Sequence, residues 1–275
     1  MWKALKYILL LYILMVVFAF FFYRVAVFLH FDASARSCLL SLGGIISFLL
    51  FICIVFANKQ VHWSTNSLKP SLFVVVCIGL LVNLLFYNTN SNTGVPDSLP
   101  MGLLGVCLCF VESCVLCPIA EEILFRRIVL NSLLANRHFR YKPIWPILIT
   151  ALLFSLIHIS PARYAHAFID GLFFTWIAYR TKSIIPSIVL HSFNNFYVFM
   201  IRAISNNYFE NLTTAISKIP YYEYLCSLWR ILQNDVIRVL ICVCLLFLLN
   251  RFLNKKYPKD VVVPEASRQI SDGCE

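Results

Sequence analysis

Charge is what this chain has least of. Asp, Glu, Lys and Arg together make up 13% of its 275 residues, about half the share in a soluble domain. That shortage excludes a water-soluble enzyme and a disordered tail. Acidic residues are the scarcer kind, 13 against 23 basic ones, for a net charge of +10. The basic residues form no stripe with interleaved aromatics, so nucleic acid is not expected as a partner. Eleven cysteines are not matched by any paired ligand spacing. The nearest approach is Cys114-Val-Leu-Cys117, with no second pair to complete a zinc finger, and most of the others lie in apolar runs, where cysteine acts as a small hydrophobe. A secreted disulfide scaffold is excluded with them. There is no H-E-x-x-H motif, no repeat of solenoid period and no low-complexity tract.

Hydrophobic sequence fills the space: 60% of the residues, 24 of them Phe, with a mean hydropathy of +0.80. Apolar runs near residues 7–23, 38–57, 71–87, 101–125, 144–159, 166–179, 184–201 and 236–250 predict an all-α, polytopic bundle of about eight transmembrane helices. The first run follows Lys3 and Lys6 as a signal peptide would, but it is long and no small-residue cleavage site follows, so it is read as a retained helix. The sixth and eighth runs are short for a crossing. With the N-terminus inside, the inner segments hold 16 Lys and Arg and the outer ones 7, which puts both termini in the cytoplasm. The loop of about 202–235 is the one sizeable outer segment and carries an Asn211-Leu-Thr213 sequon. The tail after Lys255 reads as a short polar end. The chain divides into three N-terminal helices over 1–100, a core over 101–200, the outer loop over 201–235, and a last helix with its tail over 236–275.

An ionisable side chain at bilayer depth costs several kcal/mol unless it is paired or wet, so each one inside a span marks a candidate site. Span four reads C-P-I-A-E-E-I-L-F-R-R. Glu122 and Arg126 are four apart and share a face, whereas Glu121 is turned by about 100° and stays available for proton transfer. Pro118 lacks an N–H and should free the carbonyl of Cys114 for a water-filled pocket. Taken alone, these charges could equally form a solvated helix end. Span five offers Phe154-Ser-Leu-Ile-His158, a ring and an imidazole on one face. Span seven offers His191-Ser-Phe-Asn-Asn195, two hydrogen-bond donors aimed together, as an oxyanion site needs; an interhelical clamp uses the same pair. Gathered in one cavity, a carboxylate beside a neutral imidazole can activate water while His and Asn steady a tetrahedral oxygen, the parts for amide hydrolysis. Glu121, His158 and His191 are also the donor types that zinc prefers. Glu112 lies about 13 Å along the helix from Glu121, too far to share its site, and is expected to be protonated or bonded to a neighbouring helix. His166 and Asp170 share a face of span six, where a structural hydrogen bond is expected, and Trp176 and Tyr179 are read as packing or interface anchors.

These three motifs, in this order, resemble those of the CAAX-protease and bacteriocin-processing intramembrane proteases, the CPBP or Abi family. Its E-E-x-x-x-R appears as Glu121, Glu122 and Arg126, its F-x-x-x-H as Phe154 and His158, and its H-x-x-x-N as His191 and Asn195. The resemblance covers about residues 101–200. It implies an integral-membrane endopeptidase in which Glu121 and His158 activate water, His191 and Asn195 form the oxyanion site, and Glu122, Arg126 and Phe154 organise the pocket or meet substrate, with the site opening toward the cytoplasmic half. It implies a bacterial inner or plasma membrane as the location, and the bilayer and a peptide or protein, prenylated or membrane-associated, as partners. Members are often labelled metalloproteases, although a metal-independent glutamate mechanism has also been argued. The glutamate and water version is preferred here, with no cofactor assigned and a divalent metal such as zinc as the other version. The competing function is a catalytically silent scaffold or bacteriocin-immunity factor of the same fold. A proton-relaying transporter is disfavoured by the lack of an inverted repeat.

Overall fold

A computed structural model of the chain describes residues 2–58, 70–86, 102–139, 142–158, 161–205 and 235–257. Within them are eight helices and no strands: α1 (Trp2–Phe28), α2 (Ala33–Ala57), α3 (Pro70–Phe86), α4 (Leu103–Leu134), α5 (Ile144–Leu156), α6 (Pro161–Thr181), α7 (Ile185–Ser205) and α8 (Asp235–Lys256). Each apolar run falls in one helix, in order. The stretches 88–100, 206–234 and 258–275, with the Asn211 sequon and the polar tail, lie outside the described residues.

Four helices, over Ala4–Phe28, Ala33–Ala57, Leu103–Leu134 and Ile237–Lys256, are long and apolar enough to cross a membrane. At 1.5 Å per residue the thirteen residues of α5 reach only about 20 Å, short of a hydrocarbon core of about 30 Å. The outer surface is apolar, and the interior, mostly apolar too, also holds charged and polar side chains. Phe20, Phe21 and Phe28 on α1 and Val243 and Phe247 on α8 are exposed, while Glu122, Arg126, His191 and Asn194 are buried. A bundle with greasy outer faces and an ion pair inside is built for lipid.

Sequence sets the helix ends where it can. Asp32 caps α2, its carboxylate accepting from the N–H of Ala35 at 2.7 Å, which satisfies one of the four N–H groups every helix start leaves bare. Pro161 stands at the first position of α6, where a missing N–H costs nothing. Small and polar residues then hold helices together. The Ser47 hydroxyl, fully buried, lies 3.2 Å from the carbonyl of Leu14 and ties α2 to α1. Arg180 at the end of α6 donates to Asn254 Oδ1 at 2.8 Å and to the carbonyl of Tyr257 at 3.2 Å, fastening α8. With lipid outside, such bonds and close packing replace the hydrophobic drive between helices.

Helix α4 stands in the middle, packed by α1, α2, α5, α6 and α7, so its polar side chains meet protein on every side. Glu112 takes a structural place among them: its carboxylate fills the space beside Gly44 of α2, where any Cβ would collide with it, and faces Ser41. Gly171 on α6 allows a second close approach, since a Cβ there would lie 3.1 Å from Phe154 Cδ1 and 3.2 Å from the Cα and carbonyl oxygen of Ala151. Backbone atoms yield little, so Gly171→Val is expected to cost roughly 1–3 kcal/mol, read as a lower unfolding midpoint in detergent.

Candidate active site

The first motif sits in an irregular part of α4. Two π-helical stretches, Val111–Leu116 and Ile123–Val129, bracket six residues of ordinary α-helix, Cys117–Glu122. Single π turns recur at functional sites. In the first stretch the N–H of Cys117 bonds five residues back, to Glu112. The next bond in that register would run from residue 118 to the carbonyl of Ser113, but Pro118 has no N–H. The orphaned carbonyl is therefore that of Ser113, not of Cys114 as an α register predicts. Its partner is the side chain of Asn195, whose Nδ2 donates to it at 2.8 Å. A neighbouring helix fills the role that the sequence assigned to water.

Glu122 and Arg126 form the expected i, i+4 pair. Arg126 Nη1 donates to Glu122 Oε1 at 2.7 Å, and neither side chain is exposed. The guanidinium is further held by Nη2 to the carbonyl of Gly171 at 3.3 Å and lies over the Phe154 ring, 4.4 Å from its centroid, where the ring's negative face attracts a desolvated cation.

Glu121 is held quite differently. Its Oε1 accepts from the Cys117 thiol at 3.2 Å. Its Oε2 is buried and has no hydrogen-bond partner. The nearest basic atom is His191 Nε2, at 3.7 Å, too long for a hydrogen bond. The other nitrogen of that ring, Nδ1, is 3.0 Å from Glu122 Oε1. A carboxylate paired with arginine can only accept, so Nδ1 donates to Glu122 and Nε2 is the ring atom turned toward Glu121.

His158 is tied elsewhere. Its Nδ1 lies 2.9 Å from the carbonyl of Phe154, one of the last carbonyls of α5, which the ending helix leaves unpaired. A carbonyl only accepts, so Nδ1 donates to it. Among the described residues no hydrogen bond or ion pair joins His158 to Glu121, whose contacts are with His191 and Cys117. What unites the motifs is Phe154, whose ring meets His158, His191 and Phe125 edge-on at centroid distances of 4.9, 5.5 and 5.4 Å, with Arg126 on its face.

Other sequence candidates fall into place around this centre. Asp170 accepts from Asn194 Nδ2 at 3.0 Å, a structural bond between α6 and α7, while His166 on the same helix is exposed. Sequence reasoning missed Cys117 and Phe174. Cys117 stands four residues before Glu121, the same spacing that revealed Glu122 with Arg126. Phe174 stacks on His191 at 5.3 Å and has the Arg126 guanidinium over its ring at 5.7 Å from the centroid. Zinc does not fit this arrangement: among the described residues no three His, Cys, Asp or Glu side chains are grouped to hold a metal ion, so Glu121, His158 and His191 are not brought together as a ligand set.

Residues 103–197 match the family described as Type II CAAX prenyl endopeptidase Rce1-like, in keeping with the CAAX-protease resemblance of the motifs. The match spans α4 to α7 as far as residue 197 and so contains every side chain of the cavity. No curated protein and no solved structure is matched. With four apolar helices of membrane-crossing length, this match supports an integral membrane protein with a CAAX-type, protease-like function. It lends no support to a metalloprotease label.

Proposed function

We propose that this chain is a multi-pass endopeptidase of a bacterial inner or plasma membrane, with both termini cytoplasmic, which hydrolyses a peptide bond in or beside the bilayer. One observation carries the reading. Two adjacent glutamates are held differently: Glu122 is locked by Arg126 and His191, while Glu121 accepts from the Cys117 thiol with one oxygen and turns the other toward His191 Nε2 at 3.7 Å. A carboxylate locked by an arginine is a structural group, whereas one held by a thiol and facing an imidazole stays available to take a proton.

In the reaction, a water molecule bridges Glu121 Oε2 and His191 Nε2, donating to each. Glu121 takes one proton as the water oxygen bonds to the scissile carbonyl carbon. The negative charge moves to the carbonyl oxygen, where the second amide hydrogen of Asn195 supports it; the first remains on Ser113. Collapse of the tetrahedral intermediate breaks the C–N bond, and the proton on Glu121 passes to the leaving amine. Glu122 holds His191 in its tautomer, as a buried carboxylate orients the histidine of other hydrolases. His158, joined through Phe154, adds a second imidazole nitrogen to steady water or the leaving amine. Arg126 keeps Glu122 and Phe154 in place.

The family's description names a prenylated C-terminal peptide as the substrate class to try first. The purified protein, in lipid vesicles, should cleave a farnesylated CAAX peptide or a membrane-anchored peptide lacking the prenyl group, with products identified by mass spectrometry. Rates should be the same with and without a chelator, since the donors are not grouped around a metal. Absence of cleavage of both peptide types would overturn the reading.

A further inference from the structure

A carboxylate that must present one chosen oxygen has a difficulty: its terminal torsion is broad and roughly two-fold. Glu122 solves it with Arg126. Glu121 has no cation within hydrogen-bond reach, and its side chain is nine-tenths buried with Oε2 unsatisfied. Its one hydrogen bond comes from the Cys117 thiol, to Oε1 at 3.2 Å.

We infer that Cys117 is a positioning residue, holding Oε1 so that Oε2 faces His191. This rests on Glu121 being the base. The helix geometry supports it. Residues four apart share a face in an α-helix, and the α-helical interlude runs from Cys117 to Glu122; a π register through these residues would turn the thiol away from the carboxylate.

The test compares Cys117→Ala and Cys117→Ser with the wild type in vesicles. Cys117→Ala should lower kcat about tenfold, the scale of one hydrogen bond to a charged group, with KM changed less than about twofold. Cys117→Ser, which restores a donor, should recover most of that loss. Unchanged kcat in Cys117→Ala, or no recovery in Cys117→Ser, would overturn the assignment. A second measurement needs no turnover. The wild-type minus Cys117→Ser infrared difference spectrum isolates the S–H stretch of this thiol. It should lie at the lowered frequency of a hydrogen-bonded thiol and rise in Glu121→Ala. A band that Glu121→Ala leaves in place overturns the inference, whereas a band that moves in a protein without peptidase activity refutes only the proposed function. Thermal unfolding of each variant separates misfolding from mispositioning.

Discussion

Glu121→Gln is expected to reduce kcat/KM by roughly 10²–10⁴-fold, the range that general bases contribute, while leaving the protein about as stable as before. Glutamine keeps the shape of glutamate and an oxygen for the Cys117 thiol, but it cannot accept a proton in the working range. An unchanged unfolding temperature with lost cleavage separates the loss of a proton acceptor from a loss of structure. Wild-type turnover in Glu121→Gln would end the assignment of this residue as base.

The largest loss of stability is expected at the other glutamate's partner. Arg126→Met removes the cation from a pair in which neither side chain is exposed and leaves Glu122 charged and enclosed. Removing one partner of a buried pair costs about 3–5 kcal/mol. The guanidinium's hold on the Phe154 face and the Gly171 carbonyl is lost as well. Arg126→Lys should recover little, because a lysine cannot span two acceptors and a ring face with one planar group. The double variant Glu122→Gln with Arg126→Met should be more stable than Arg126→Met alone, since no bare charge remains. Denaturant unfolding of the four proteins in detergent closes the cycle and gives the coupling energy. A single Arg126→Met within about 1 kcal/mol of the wild type would show that the pair does not hold the cavity together.

Much of this was legible in the sequence because hydrophobic runs and i, i+4 spacings are local. Eight apolar runs mark eight helices in order. The Glu122 and Arg126 pair, and the grouping of Phe154 with His158, follow from helical repeat alone. What failed was what depends on how one helix is rotated against another. Spacing places His158 and His191 on known faces of α5 and α7, but it does not say which imidazole reaches Glu121; the structure gives His191. The freed carbonyl moved from Cys114 to Ser113 because π turns add a residue to the count, and no sequence pattern used here signals a π turn. Cys117 is hidden for a different reason: its spacing to Cys114 suggests a metal ligand and its apolar run a small hydrophobe, and neither says that the thiol turns toward the residue one turn on.

The two π stretches of α4 have a consequence for how this helix tolerates change. Each holds a wider turn than its neighbours, so each acts as a slack coil that can take up or release one amino acid. Deleting a residue from Val111–Leu116 would tighten that coil and swing Leu103–Phe110 by about 100° relative to the acids, as a screw turns in its thread. The upper portion would then present different faces to α2 and α7 while the turn carrying Glu121 and Glu122 kept its own bearings. Length variants in this short window, unlike those elsewhere in a membrane helix, are therefore adjustments of angle.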